Sequence, residues 1–297
     1  MKINITSILA PLAAAAILAG CDKTAPEYSW ATDPDAVVVN ASVSPLTRSN
    51  PLGDEDAQKK FNIGDRIEIW QSSTNERFAY VLGENGWSPA DNGKYMVWPK
   101  KGDVFDAEYQ KSASSKFVSD QHTLDGLASA DYMKSGNSSF DKPGDNQLNL
   151  QLKRQFSLVT VKIVGYNDQY NKEKDKISDL KIHLTGRFSD PAEAVSPYVL
   201  DDQGKEPDSA AEGTIGWTYS AIGTSPKDNA DGSVFIEFMI AGRKETVTGI
   251  PTLEAGKKYT FKLNVGKRAL DSGDITVSDW GSTVDLNEDV GEQDVDA

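Results

Sequence analysis

Short runs in which apolar and polar residues alternate recur along most of the chain. The clearest run sets Leu148, Leu150 and Leu152 between polar residues, and this period of two predicts a β-strand with one face on a core and the other in water. Similar alternation, or a run of β-branched residues, predicts further strands at residues 37–39, 67–69, 78–82, 159–163, 180–184, 234–240 and 259–265.

Turn-forming triplets that end in glycine separate these runs. They are Glu84-Asn85-Gly86, Asp91-Asn92-Gly93, Ala230-Asp231-Gly232 and Glu254-Ala255-Gly256. The only segment with a helical pattern is short, at residues 124–134. Many short strands between regular turns predict an all-β fold, and a chain of 297 residues fits two tandem β-sandwiches better than one.

The predicted organisation has five parts. Residues 1–20 are a secretory signal, 21–36 a polar tether, 37–145 an N-terminal β-sandwich, 146–284 a C-terminal β-sandwich and 285–297 an acidic tail. The boundary is placed at residues 141–146 because this stretch combines proline, glycine and charge. The tail is interpreted as a solvated end, with an extension that reaches a partner subunit as the alternative.

The first 21 residues predict export and a lipid anchor. An apolar run at residues 8–17, interrupted by Pro11, is too short for a stable transmembrane helix but fits a cleavable signal. Leu18-Ala19-Gly20-Cys21 is similar to a bacterial lipobox, so we expect cleavage between Gly20 and Cys21 and lipidation of the Cys21 thiol. Each buried CH₂ of such a lipid contributes roughly 0.8 kcal/mol to membrane binding. The alternative is an ordinary signal followed by an unmodified cysteine.

Composition and charge narrow the possible chemistry. The chain has 31 basic and 45 acidic residues, and its net charge of −14 gives a surface that repels nucleic acid. Its one cysteine permits neither an internal disulfide nor a cysteine-based zinc site. The sequence contains no P-loop, dinucleotide-binding, zinc-protease or serine-hydrolase motif. We therefore expect no enzyme, no cofactor and no metal.

The remaining polar candidates are weak. His122 lies in a polar segment that offers no nucleophile, and strand parity places His183 on a wet sheet face. Residues 228–232 are similar to the start of a calcium loop, but the twelfth position is Met239, so a hairpin turn is the better interpretation. Among so many acids, a pair such as Asp54 and Asp56 is expected by chance.

Five tryptophans leave a second function open. They are spread through strand or strand-edge segments: Trp70, Trp87, Trp98, Trp217 and Trp280. Buried, they would build the cores, which we favour. Exposed, they would stack on sugars, so a glycan-binding surface lipoprotein is the alternative function. A glycosidase or a peptidase is a less favoured alternative function.

Several short motifs, taken in order, resemble one family. After the lipobox and a first strand come Thr47-Arg48, Phe61-x-x-Gly64-Asp65-x-Ile67, Trp98-Pro99, Phe105-x-Ala107-x-Tyr109, Asp120-Gln121 and Asp131-Tyr132-Met133. The C-terminal part adds Leu253-x-x-Gly256-Lys257-x-Tyr259-x-Phe261-x-Leu263 and Asp279-Trp280. The order of these motifs resembles the fimbrillin-like proteins, which include the subunits of type V pili, over most of residues 37–281.

The resemblance implies a fold and a mode of assembly. The fold would be two tandem transthyretin-like Greek-key β-sandwiches. The protein would be exported as a lipoprotein of the outer membrane and would lie at the cell surface, in fimbriae. In polymerising members a trypsin-like protease cuts after an arginine near the first strand, and a strand of the next subunit fills the groove that opens, which is β-augmentation. Other fimbrial subunits, and a host or bacterial surface ligand, would be the partners.

The resemblance also assigns candidate residues. Cleavage would fall between Arg48 and Ser49, and the removable strand would point Val37, Val39, Ala41 and Val43 inward. The alternative is that Arg48 merely ends a permanent strand. The C-terminal residues alternate only partly among many acids, so a stalk, tip, anchor or accessory role stays open.

Overall fold

The structure is a computed structural model, and it describes residues 29–43, 60–91, 93–110, 117–187, 190–207, 212–227, 232–270 and 272–280. Within these ranges the regular secondary structure is almost entirely β-strand, which confirms the all-β prediction. The first eight strands are β1 (Val38–Val43), β2 (Arg66–Gln71), β3 (Glu76–Gly83), β4 (Gly86–Pro89), β5 (Asp103–Gln110), β6 (Tyr132–Lys134), β7 (Ser138–Phe140) and β8 (Gln147–Arg154). A short helix, α1 (Leu124–Ser129), precedes β6.

Nine further strands follow in the second half of the chain. They are β9 (Ser157–Tyr166), β10 (Ile177–Leu184), β11 (Glu193–Val195), β12 (Tyr198–Leu200), β13 (Thr218–Gly223), β14 (Val234–Ile240), β15 (Arg243–Thr248), β16 (Lys257–Val265) and β17 (Ile275–Asp279). A single 3₁₀ turn, Ser272–Asp274, leads into β17.

The first eight strands form one sheet, in the order β1-β8-β6-β5-β2-β3-β4, with β7 paired to β5. The sheet curls so that its two ends, β1 and β4, come into contact. Alternate side chains of these strands fill the enclosed core, where Ile67, Ile69, Phe105, Met133 and Leu150 are buried. The edge strand β1 therefore closes a core that the whole sheet lines.

The later strands form two further sheets that pack face to face. A four-stranded sheet, β11-β10-β14-β15, covers a five-stranded sheet, β12-β13-β9-β16-β17. Phe235 of β14 and Phe261 of β16 meet edge-on across this core, with ring centroids 4.9 Å apart. The arrangement is that of a β-sandwich.

Local patterns predicted most strands, with two differences. The leucines of β8 are buried and its intervening polar residues exposed, as predicted. The first half of β9 is buried on both faces, because Leu158 on its other face packs in a cluster with Leu127 and Ile222. The helix predicted over residues 124–134 ends at Ser129, since residues 132–134 pair as β6 with β5 and β8 instead.

The change from the first sheet to the sandwich comes after β8. The predicted boundary lies before this strand, yet β8 belongs to the first sheet because its leucines complete that core. A separate apolar cluster brings Leu127 of α1 together with Tyr198 of β12 and with Trp280, which follows β17. The division into two domains stays a prediction. No helix in the described ranges has the length and hydrophobicity needed to span a membrane.

Candidate functional site

Strand β1 buries alternate side chains in the first core. Val37, Val39, Ala41 and Val43 are each at most 9% exposed, whereas Val38 on the opposite face is 41% exposed. The four inward positions named from the sequence thus face the core. Burial of a valine side chain contributes roughly 1.5–3 kcal/mol, so this face is a substantial part of the core.

Only one edge of β1 is paired with another strand. It runs parallel to β8, in register from Val38 opposite Gln147 to Val43 opposite Leu152. Among the described strands none pairs with its other edge. There the indole N–H of Trp30 donates to the Val37 carbonyl at 3.3 Å, and that of Trp87 donates to the Ala41 carbonyl at 3.2 Å. Beyond Val37, whose N–H donates to the Met96 carbonyl, side chains rather than a backbone ladder hold this edge.

A groove of about 600 Å³ lies along β1. Its walls are β1 itself and the apolar side chains of Trp30, Phe61, Leu82 and Trp87. Phe61 meets the Trp87 ring edge-on, with centroids 5.1 Å apart. An aromatic wall beside a half-paired strand can accommodate an extended segment through backbone hydrogen bonds and apolar contacts.

The residues before β1 are fixed by backbone bonds and by a buried tyrosine. The Val37 N–H donates to the Met96 carbonyl at 2.9 Å, and the Met96 N–H donates to the Tyr80 hydroxyl at 3.2 Å. Burial raises the pKa of Tyr80 to about 12, against the opposing effect of the Met96 hydrogen bond. The phenol is therefore neutral at physiological pH and available to accept that bond.

A buried ion pair lies at the far end of β8. The Arg154 guanidinium donates three hydrogen bonds of 2.6–2.8 Å to the Asp131 carboxylate, and both side chains are 0% exposed. The guanidinium also lies over the Trp280 ring, 4.0 Å from its centroid. Complete burial raises the pKa of Asp131 to about 6, with the attraction of Arg154 opposing this rise.

Sequence reasoning missed this pair, although one signal was present. Leu148, Leu150 and Leu152 point inward, and strand parity makes Arg154 the next inward residue. An arginine in an inward series requires a buried acid as its partner. Nothing in the sequence, however, distinguishes Asp131 from the other acids.

The processing and lipidation candidates lie outside the described residues. These are Gly20, Cys21, Arg48 and Ser49, and the acid pair Asp54 and Asp56 lies there as well. The described chain stops at Val43 and resumes at Lys60. Arg48 therefore follows the last described residue of β1 by five positions in the sequence.

The two histidines stand apart from one another. His122 is exposed beside Asp120 at 2.5 Å, and His183 lies on the outer face of β10, 3.3 Å from Glu237. A hydrogen bond from Lys244, with a smaller contribution from His183, holds the pKa of Glu237 below its ordinary value against the effect of burial. Met239 lies within β14. Over the described part of the chain, no group of three His, Cys, Asp or Glu could hold a metal.

The five tryptophans considered for sugar stacking form no exposed platform. Trp87, Trp98 and Trp280 are buried, and Trp70 and Trp217 are half-buried. The Trp98 indole N–H donates to the Asn146 carbonyl at 2.8 Å, next to β8. Trp87, Trp98 and Trp280 thus pack in the interior, and Trp87 and Trp98 also hold backbone carbonyls.

Comparison with known proteins gives a match over most of the chain. A family model described as fimbrillin-like matches residues 47–280. No curated protein matches the chain. The match begins just after β1 and ends at Trp280.

Three solved structures to which the chain is similar are described by their TM-scores, identities and coverage. One is a proposed cell adhesion protein from Bacteroides uniformis, at 14% identity and a TM-score of 0.48, covering 83% of this chain and 99% of that one. A fimbrial protein from Bacteroides ovatus has 16% identity and a TM-score of 0.46, covering 84% of this chain and 55% of that one. The C-terminally truncated tip fimbrial protein Mfa3 from Porphyromonas gingivalis has 9% identity and a TM-score of 0.36, covering 82% and 98%.

Proposed function

The chain belongs to the fimbrillin-like family, and from this premise we propose that it is a non-enzymatic, lipid-anchored fimbrial subunit that assembles by exchange of strand β1. Family membership supports the coarser part, a fimbrial subunit or adhesin at the cell surface. The observation that carries the finer part is the half-paired state of β1, which completes a core while, among the strands that the structure describes, β8 alone pairs with it.

Removal of β1 would leave a site that strongly favours refilling. The leucines of β8 and the groove beside Trp87 would lose their cover. Val37 and the two inward valines of β1 together contribute roughly 5 kcal/mol or more of burial. A strand from another fimbrial subunit that presents apolar side chains at alternate positions would restore both this burial and the ladder with β8.

Cleavage between Arg48 and Ser49 would release β1. Arg48 follows β1 closely in a polar segment with Pro51, the kind of sequence in which proteases cut. Two other arginines of this half, Arg66 and Arg77, lie within strands β2 and β3, where the paired backbone resists a protease. Arg48 is therefore the favoured processing site.

The anchor is the lipid on Cys21, after cleavage of the signal between Gly20 and Cys21. Residues 22–35 would lead from the outer membrane to Val37 at the start of the core. The order along the chain has a consequence, because a cut after Arg48 separates the body from its lipid. The uncut chain would stay at the membrane as an anchor or accessory subunit, while the cut chain would be held only by its neighbours.

Incubation of the full chain with an arginine-specific protease tests this proposal. We expect mass spectrometry to show loss of the residues up to Arg48, and electron microscopy to show polymers or hetero-polymers with related subunits. Arg48→Ala should block both, whereas Arg77→Ala, on strand β3, should block neither. Normal polymers from Arg48→Ala would contradict cleavage-driven exchange. Unchanged membrane fractionation of Cys21→Ser would contradict the lipid anchor.

A further inference from the structure

Strand β8 is held unequally by its two neighbours. Six residue pairs join it to β1, whereas only two join it to β6, Met133 opposite Arg154 and Lys134 opposite Lys153. Loss of β1 would therefore remove most of the backbone pairing of β8. The same strand must then provide the free edge with which an incoming strand pairs.

The buried ion pair lies at this two-residue contact. Asp131 directly precedes β6, and Arg154 is the last residue of β8. The three hydrogen bonds between their side chains join the ends of the same two strands that so few backbone pairs connect. Trp280 covers the guanidinium from the sandwich side, at 4.0 Å. We call Asp131, Arg154 and Trp280 the Arg154 cluster.

Such a pair adds little net stability, but it fixes the relative position of the two side chains. Taking two charges out of water costs several kcal/mol per ion, and replacing a buried pair by apolar residues is often neutral or stabilising. The fork of an arginine on a carboxylate, however, fixes both distance and orientation. The pair is therefore better suited to setting the position of β8 than to adding net stability.

We propose that the Arg154 cluster holds β8 in register while β1 is absent, so that the empty groove keeps the shape an incoming strand requires. The inference rests on the proposed strand exchange and adds positioning residues to it. The pairing of β1 with β8 ends at Leu152, two residues before Arg154. The residues of the Arg154 cluster act through β8, and their effect falls on strand binding more than on the stability of the intact protein.

The test compares strand binding with intact stability in one full chain. A recognition sequence for a specific protease, inserted between Asn50 and Pro51, allows a cut that does not depend on Arg48. A fluorescent synthetic peptide of residues 36–43 then replaces the cut segment, and anisotropy measures its affinity. For the double variant Arg154→Met and Asp131→Leu we expect at least tenfold weaker peptide binding and faster hydrogen exchange in β8. The thermal midpoint of the uncut variant should stay close to that of the unaltered chain.

A matched control uses the exposed pair of Arg66 and Glu68, where the arginine side chain is 57% exposed. Arg66→Met should change neither the peptide affinity nor the hydrogen exchange of β8. If the double variant does not fold, Arg154→Lys, which keeps the charge but loses the fork, provides the comparison, and we expect intermediate peptide affinity. Equal peptide affinity and equal β8 exchange in variant and unaltered protein would overturn the inference. So would a parallel loss of intact stability, which would assign a merely structural role. If the peptide fails to bind the unaltered cut protein, it is strand exchange itself that fails.

Discussion

Replacement of Val39 by alanine measures how much the inward face of β1 contributes to the fold. Val39 is 5% exposed, whereas its neighbour Val38 is 41% exposed on the same strand. The change removes two methyl-sized groups, each contributing about 0.8 kcal/mol, and leaves a cavity that adds to the loss. We expect Val39→Ala to lower the free energy of unfolding by about 2 kcal/mol, roughly a 30-fold change in the unfolding equilibrium.

Val38→Ala is the matched control, because it is the same chemical change one residue away. A partly exposed side chain away from the core should change stability by no more than about 0.5 kcal/mol. The assay is urea unfolding of both variants and the unaltered chain, monitored by circular dichroism. Hydrogen exchange of β1 is measured in the same three proteins. Equal destabilisation by the two variants, or none by Val39→Ala, would refute the claim that β1 completes the core through alternate residues.

Three further predictions concern a hydrogen bond beside β1, the buried ion pair at the end of β8 and an ion pair on β14 of the sandwich. Trp87→Phe leaves the Ala41 carbonyl without its 3.2 Å donor and should accelerate hydrogen exchange in β1, at a cost of about 1–3 kcal/mol. Asp131→Ala leaves the Arg154 charge buried and unpaired and should lower the free energy of unfolding by about 3–5 kcal/mol, measured in urea. The lowered pKa of Glu237 means that its contribution to stability is full above its ordinary pKa of 4.5 and is lost as pH falls through the lowered value. Glu237→Gln should therefore flatten the acid side of a plot of stability against pH.

Each of these predictions has its own control. Trp70→Phe removes an indole bond to Asn75 on the exposed surface, so β1 exchange should not change. If it accelerates as in Trp87→Phe, the effect is not specific to the Ala41 carbonyl. A cost for Asp131→Ala no larger than for Glu68→Ala, at an exposed pair, would show that burial of the ion pair does not matter. An unaltered acid slope in Glu237→Gln would contradict the assignment of its lowered pKa.

The sequence predicts the strands well where one face is wet. The leucines of β8 alternate with polar residues, so their burial follows from period alone. The period also predicted strand β9 at residues 159–163, but not the burial of Leu158 and Thr160 on its other face. At residues 132–134 local preference favoured helix, and pairing with β5 and β8 prevailed. Short-range patterns thus predict which segments form strands. They do not predict the long-range contacts that override local preference.

The site itself was only partly predictable. The inward positions of β1 followed from the family resemblance, and the structure buries them. The parallel pairing of β1 with β8 joins Val38 to Gln147, residues so distant in sequence that no local pattern connects them. Arg154 and Trp280, which also meet in the fold, are still further apart in the sequence. Contacts of this kind depend on the folded chain, so they could not be derived from one sequence.

The exchangeability of β1 is most directly tested by native mass spectrometry. The full chain, cut completely between Arg48 and Ser49, is mixed with an excess of an isotopically labelled peptide of residues 36–43. If β1 is a separable strand, one labelled peptide per protein replaces the cut segment while the rest of the chain stays folded. Retention of the original segment over days, or unfolding of the first sheet when it leaves, would contradict assembly by strand exchange.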